Sequence, residues 1–212
     1  MHTRLGWTPI TALALALAAA TASPAAAQFT IGIKGGANFT DLADVESTYR
    51  TSSETKFVGG LYAAIGFGGS WSIQPELLYS QHGATVSDAV DSALLTEHYV
   101  EIPLLLNIRL LQGIVEPQIY LGPSISFPLA CELTEDGETE DCGDVVDDFE
   151  SSSALWAGIA GVALDFDLGP LVLGVDGRYN YGFSEIHEVS DIAESKWRYF
   201  SLMAEIGIAL GR

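Results

Sequence analysis

Val100-Glu101-Ile102-Pro103-Leu104-Leu105-Leu106-Asn107-Ile108-Arg109-Leu110 is the stretch whose reading decides the fold. Val100, Ile102, Leu104, Leu106, Ile108 and Leu110 take alternate positions, with Glu101, Asn107 and Arg109 among the residues between them. A period of two sends these sets to opposite faces of a β-strand. One face suits an apolar medium, whereas the other must satisfy charges of both signs.

Outward from this stretch the same alternation recurs, with turn residues as punctuation. It predicts eight strands, at residues 29–40, 56–68, 71–86, 96–111, 114–130, 153–168, 171–184 and 197–210. Gly68-Gly69-Ser70, Gln112-Gly113 and Gly169-Pro170 make short connections, and long polar ones alternate with them. That rhythm suits a barrel with short turns on one side of a membrane and long loops on the other. Gly35 and Gly36 fall where a narrow barrel curves most.

Alternation alone does not say which face points inward. A soluble lipocalin-like barrel would line a ligand cavity with the apolar face, while an outer-membrane barrel turns it to lipid. The second arrangement is expected here. Lys34, Glu76, Glu101, Arg109, Asp176, Arg178 and Glu205 lie on the polar faces, where they can pair inside a narrow lumen. Phe29, Phe39, Phe57, Phe67, Trp71, Tyr181, Phe183 and Trp197 gather near strand ends, as interfacial girdles do. The expected fold is therefore all-β: an eight-stranded antiparallel up-and-down transmembrane β-barrel.

Residues 1–27 read as a cleaved signal peptide and residues 28–212 as the barrel domain. Arg4 gives a positive start, an apolar run covers residues 10–20, and Ala25-Ala26-Ala27 offers small residues for cleavage. The run is too short to span a bilayer as a helix, which takes about 20 residues. Without the leader, eight Lys and Arg face 28 Asp and Glu, a formal charge of −20. Such a chain repels nucleic acid.

Cys131 and Cys142 share one hydrophilic segment, without a CxxC or a nearby histidine, so an exported chain joins them as a disulfide. Ten acids lie between Glu132 and Glu150 with no Lys or Arg among them. Glu132, Glu135, Asp136, Glu138, Glu140 and Asp141 offer oxygen ligands for calcium or magnesium, yet Gly143 stands where a calcium loop needs its glutamate. A solvated charge run is the plainer expectation. No cofactor motif and no catalytic constellation is present. His82 and His98 flank one outer connection and could meet near Asp88 or Asp91 as a rim hydrolase would need, while His187 lies in another loop.

Four segments carry a family resemblance: Ile33-Lys34-Gly35-Gly36-Ala37-Asn38-Phe39, Ile73-Gln74-Pro75-Glu76-Leu77-Leu78-Tyr79-Ser80-Gln81, Val100-Glu101-Ile102-Pro103-Leu104-Leu105-Leu106 and Arg178-Tyr179-Asn180-Tyr181-Gly182. In this order they resemble the recurring segments of PorT-like, or "porin family", outer-membrane β-barrel proteins. The resemblance implies location in the bacterial outer membrane, contact with its lipid and insertion by its assembly machinery, and adds no reaction. It also implies a terminal aromatic, where this chain has Arg212. The expected role is structural or surface-interacting, as a monomer whose acidic outer loops meet a surface ligand or divalent cations. The rival readings are a narrow channel for small solutes or ions, a rim enzyme and the soluble binding barrel.

Overall fold

A computed structural model of the chain describes residues 28–43, 50–87, 92–135, 138–142, 154–183 and 196–210. The strands are β1 (Phe29–Ala43), β2 (Arg50–Phe67), β3 (Trp71–Ser87), β4 (Ser92–Arg109), β5 (Val115–Glu135), β6 (Glu138–Asp141), β7 (Leu155–Asp167), β8 (Leu171–Gly182) and β9 (Lys196–Leu210). All but β6 are staves of a closed antiparallel barrel. Each stave pairs with its neighbour in sequence, and β1 closes against β9. The proposed leader, Asp136, Asp88, Asp91, His187 and Arg212 lie outside the described residues.

The turns at residues 68–70, 110–114 and 168–170 share one end, which in such barrels is periplasmic. Gly68 and Gly69 take positive φ (62° and 82°), which this three-residue reversal uses and glycine supplies without strain. Above the other rim the staves run on, and β5 reaches 21 residues. About 9–11 residues suffice to cross a bilayer.

Faces sort by parity. Ile33, Leu61, Leu77, Leu104, Leu121, Val162, Leu173 and Ile206 point outward and are exposed, while Lys34, Glu76, Glu101, Asp176, Arg178 and Ser201 point inward and are buried. An outside made of Leu, Ile, Val and aromatic side chains is stable only against hydrocarbon. Outward aromatics form two levels: Phe39, Phe57, Phe127, Trp156, Tyr181, Phe183 and Phe200 near the outer rim, and Phe67, Trp71 and Phe166 near the turns. The apolar faces thus look to lipid, and a soluble binding barrel is excluded.

Strand five departs from expectation. It continues past Ala130 to Glu135, paired with β4 on one side and with β6 on the other (Glu132 opposite Asp141, Glu135 opposite Glu138). Acids directly opposite one another disfavour a hairpin. The Cys131–Cys142 disulfide lies beside the Glu132–Asp141 rung and holds it closed, and Thr134 and Thr139 bond across it at 2.9 Å. Part of the acidic segment is therefore a stapled ribbon rather than a free loop.

Candidate functional site

The interior is the most chemically rich region of the described chain, and the short turns decide what meets there. Lys34, Tyr62, Glu76, Tyr120, Asp176 and Glu205 each stand five residues in from the periplasmic end of their strands. Tight connections fix that count as a common height, so these residues form one layer.

In that layer Lys34 Nζ lies 2.8 Å from Glu76 Oε1, 2.9 Å from Glu205 Oε2 and 3.3 Å from Asp176 Oδ2. Arg178, one rung higher on the same face, donates to both oxygens of Glu76 (2.7 and 3.1 Å) and both of Asp176 (3.0 and 3.0 Å). The planar guanidinium matches two carboxylates edge to edge, which an ammonium could not do. Gln74 donates to Glu76 at 2.7 Å, and Asn107 donates to Gln74 at 2.8 Å.

Each cation also rests over a tyrosine ring: Lys34 over Tyr62 at 5.1 Å, Arg178 over Tyr120 at 5.6 Å. Tyr62 can lie flat because the wall beneath it is Gly32 and Gly207, where a Cβ would strike its ring or hydroxyl. Close approach, rather than backbone freedom, requires these glycines.

Directly above the ions the lumen turns apolar. Val58, Leu78 and Met203 pack together there, and Ile159 packs with Tyr120 and Leu105 of the ion layer's own wall, all of them buried. Over this collar sits a neutral-to-acidic hydrogen-bonded layer. Asn38 donates to Ser80 at 2.7 Å, Ser201 donates to Asn38 at 2.7 Å, and Tyr199 donates to Glu101 at 2.8 Å. His82 Nε2 lies 3.1 Å from Glu101 Oε1, with its ring between Tyr99 and Tyr199.

The seven charges singled out from sequence therefore do not form one network. Lys34, Glu76, Asp176, Arg178 and Glu205 meet in the middle. Glu101 belongs to the upper layer with His82. Arg109 sits at the periplasmic mouth, 3.1 Å from Glu116 and 3.2 Å from Gln28. Position along the strand separates them: Arg109 and Glu101 are eight residues apart on β4, roughly 26 Å of strand at ~3.3 Å per residue.

Glu116 and Gln118, on the polar face of β5, join Tyr62 and Asp165 as luminal residues outside the seven charges expected to pair. The Gln118 amide donates to Asp165, and Asp165 and Glu205 converge over Gly174, where a Cβ would strike both. Together with Arg109 they line a cavity of about 40 Å³ below the ion layer. Arg109 and Glu116 flank the same short turn, a signal that would have paired them.

Catalytic geometry is not assembled around His82 and His98, the histidines among the described residues. His98 bonds Tyr79 on the outer face of the wall, opposite Gln81 in register, so His82, one residue on, points into the lumen. Parity thus keeps the two histidines on opposite faces, which corrects the expectation that they could meet. Ser80, His82 and Glu101 are the residue types of a hydrolytic triad, but Ser80 Oγ and Glu101 Oε1 both approach His82 Nε2, at 3.1 Å each. A relay needs nucleophile and acid on different ring nitrogens.

In the acidic ribbon Glu132 lies 3.7 Å from His98, Asp141 is exposed, and Glu135, Glu138 and Glu140 are placed by backbone pairing alone. Among the described residues no three His, Cys, Asp or Glu gather as metal ligands.

A lipid-facing apolar wall, two aromatic levels and a packed polar lumen define a β-barrel of the bacterial outer membrane. The chain belongs to the outer membrane protein beta-barrel domain family, whose model matches residues 21–188. Solved structures with the same fold include the outer membrane protein OprG from Pseudomonas aeruginosa, at 15% identity over 88% of this chain and 97% of that one, with a TM-score of 0.58. A major outer membrane protein from Thermus thermophilus is similar at 13% identity over 86% and 99%, with a TM-score of 0.52. Among curated proteins none matches the sequence.

Proposed function

We propose that this protein is a non-catalytic, monomeric barrel of the PorT-like or porin-family type that serves the outer membrane as structure and as a surface-interaction element. In this reading residues 1–27 are removed on export, the assembly machinery inserts residues 28–212, and the acidic outer loops meet a surface ligand or divalent cations. The observation that supports it is the filled lumen. A five-residue ion layer with Val58, Leu78, Ile159 and Met203 packed above it opposes passage of water or solute, because hydrated ions do not cross an apolar constriction cheaply. Chemistry directed outward then falls to the rim, where the stapled acidic ribbon stands.

Reconstitution of residues 28–212 in planar bilayers and liposomes tests this. We expect no steady conductance, and calcium-dependent protection of the outer loops from protease. A reproducible open level in single-channel recording would replace the proposal with the narrow-channel reading.

A further inference from the structure

The outer wall carries a groove that the lumen reading leaves unused. On β7 the successive outward positions are Gly158 and Ala160. The strands on either side present larger groups in register: Pro123 and Tyr181 flank Gly158, and Leu121 and Tyr179 flank Ala160. The result is an open apolar trough of about 490 Å³, floored by β7 and bounded at one end by Phe183, whose ring leans over Gly158. Its walls stand two interstrand spacings apart, about 10 Å. A single file of methylene carbons touching both sides at ~4 Å fits that width.

Position identifies the occupant. Gly158 lies nine residues above Asp167, the periplasmic end of β7, so the trough occupies the outer half of a span of ~9–11 residues. Trp156, Tyr181 and Phe183 mark the interfacial level at its mouth, and the Arg198 guanidinium lies over the Tyr181 ring at 5.0 Å. The trough is continuous with the lipid-facing wall, so the medium that meets it is hydrocarbon. We propose that it seats one acyl chain of an outer-leaflet lipid, and that the barrel holds this lipid more tightly than the lipids around the rest of its wall. Within a bilayer, burial of apolar area gains nothing by itself; the selectivity comes from van der Waals packing of the chain against three strands where the wall recedes.

Native mass spectrometry of the barrel extracted from its membrane in mild detergent tests the proposal. One lipid should stay bound per barrel, and Ala160→Leu, which fills the trough, should lower that occupancy about ten-fold, equivalent to ~1.4 kcal/mol of lost packing. Absence of a retained lipid, or equal retention by Ala160→Leu, overturns the proposal. So does a dimer that Ala160→Leu dissolves, since a second copy would then be the occupant.

Should Ala160→Leu fail to fold, tryptophan quenching by lipids with brominated acyl chains decides the matter on an unfilled trough. In mild detergent micelles titrated with such a lipid, so that lipid competes with detergent for the wall, a barrel whose only tryptophan is Trp156 should be half-quenched at about one-tenth the lipid mole fraction needed by one whose only tryptophan is Trp71, the same ~1.4 kcal/mol preference. Coincident curves overturn the proposal.

Discussion

Replacing Arg178 with methionine tests whether the lumen is sealed. In the folded barrel the guanidinium makes four hydrogen bonds of 2.7–3.1 Å to Glu76 and Asp176 and is 2% exposed. Arg178→Met fills a similar volume but leaves three buried carboxylates around the single ammonium of Lys34. Glu76 keeps Lys34 at 2.8 Å and Gln74 at 2.7 Å, while Asp176 keeps only its 3.3 Å contact with Lys34 among the ion pairs. Removing one partner of a buried pair costs about 3–5 kcal/mol, because the orphaned charge has no water to turn to. Adding Glu76→Met restores the original excess of one carboxylate over the cations, so the double variant should recover to within ~1 kcal/mol of the parent, as buried pairs exchanged for apolar groups commonly do. Urea unfolding in lipid vesicles, followed by tryptophan fluorescence, reads both values, with heat-modifiable migration confirming the folded barrel. A loss below ~1 kcal/mol for Arg178→Met, typical of a solvated pair, would mean that water reaches the ion layer. The sealed-lumen reasoning would then fail.

Leu104→Arg, at mid-height on the lipid face, should cost about 2–4 kcal/mol in the same assay, and Phe39→Arg near the outer interface about 0–1 kcal/mol. Equal costs would contradict the assigned depth. Gly207→Ala, whose Cβ would meet the Tyr62 hydroxyl before any other atom, should lift Tyr62 off the wall and destabilise the barrel by about 1–3 kcal/mol through overpacking, and an unchanged urea midpoint would refute that contact. Cys131→Ser with Cys142→Ser should leave the barrel's unfolding midpoint unchanged while exposing residues 131–142 to protease. The closed ring is worth roughly 3 kcal/mol to the ribbon in the chain-entropy model. Deleting Glu132–Asp141 should still give a heat-modifiable barrel, since β6 pairs with β5 alone and residues 132–135 only extend the β4–β5 pairing at the outer end of β5, and failure to insert would show that the ribbon guides assembly.

The staves were legible because a barrel wall separates two media, and a period of two is the only pattern that serves both. Orientation was legible for a related reason: Glu101 and Arg109 cannot face hydrocarbon, whereas Leu104 and Leu106 can. Where the sequence misled, a tertiary device overrode local preference. Glu132, Glu135, Glu138 and Asp141 would not choose a hairpin, but the Cys131–Cys142 bond and the β4 edge impose one. The upper ends of β2 and β5 were read too short for the same reason: polar residues look like loop until a partner strand takes up their backbone groups.

Partnership inside the lumen was harder to read, because alternation gives the face of a residue and not its height. Counting from the short turns supplies the missing coordinate. Lys34, Glu76, Asp176 and Glu205 stand five residues from the periplasmic ends of β1, β3, β8 and β9, and Arg109 and Glu116 face each other across one turn. Tyr62 stayed hidden because the inward positions of β2 below Lys56 are Val58, Gly60, Tyr62 and Ala64, an apolar set indistinguishable by polarity from the lipid-facing one. Its role appears only with Gly32 and Gly207 brought beside it. These residues lie 30 and 145 positions away in the chain, joined by register through β1 and β9. The apolar collar was hidden likewise, since Leu78 and Met203 look like ordinary wall residues until parity turns them inward. The ion layer therefore depends on residues that carry no charge. Tyrosine rings on bare glycine backbone and a lid of aliphatic side chains keep water from five ionic groups, and that exclusion is what makes their pairing obligatory.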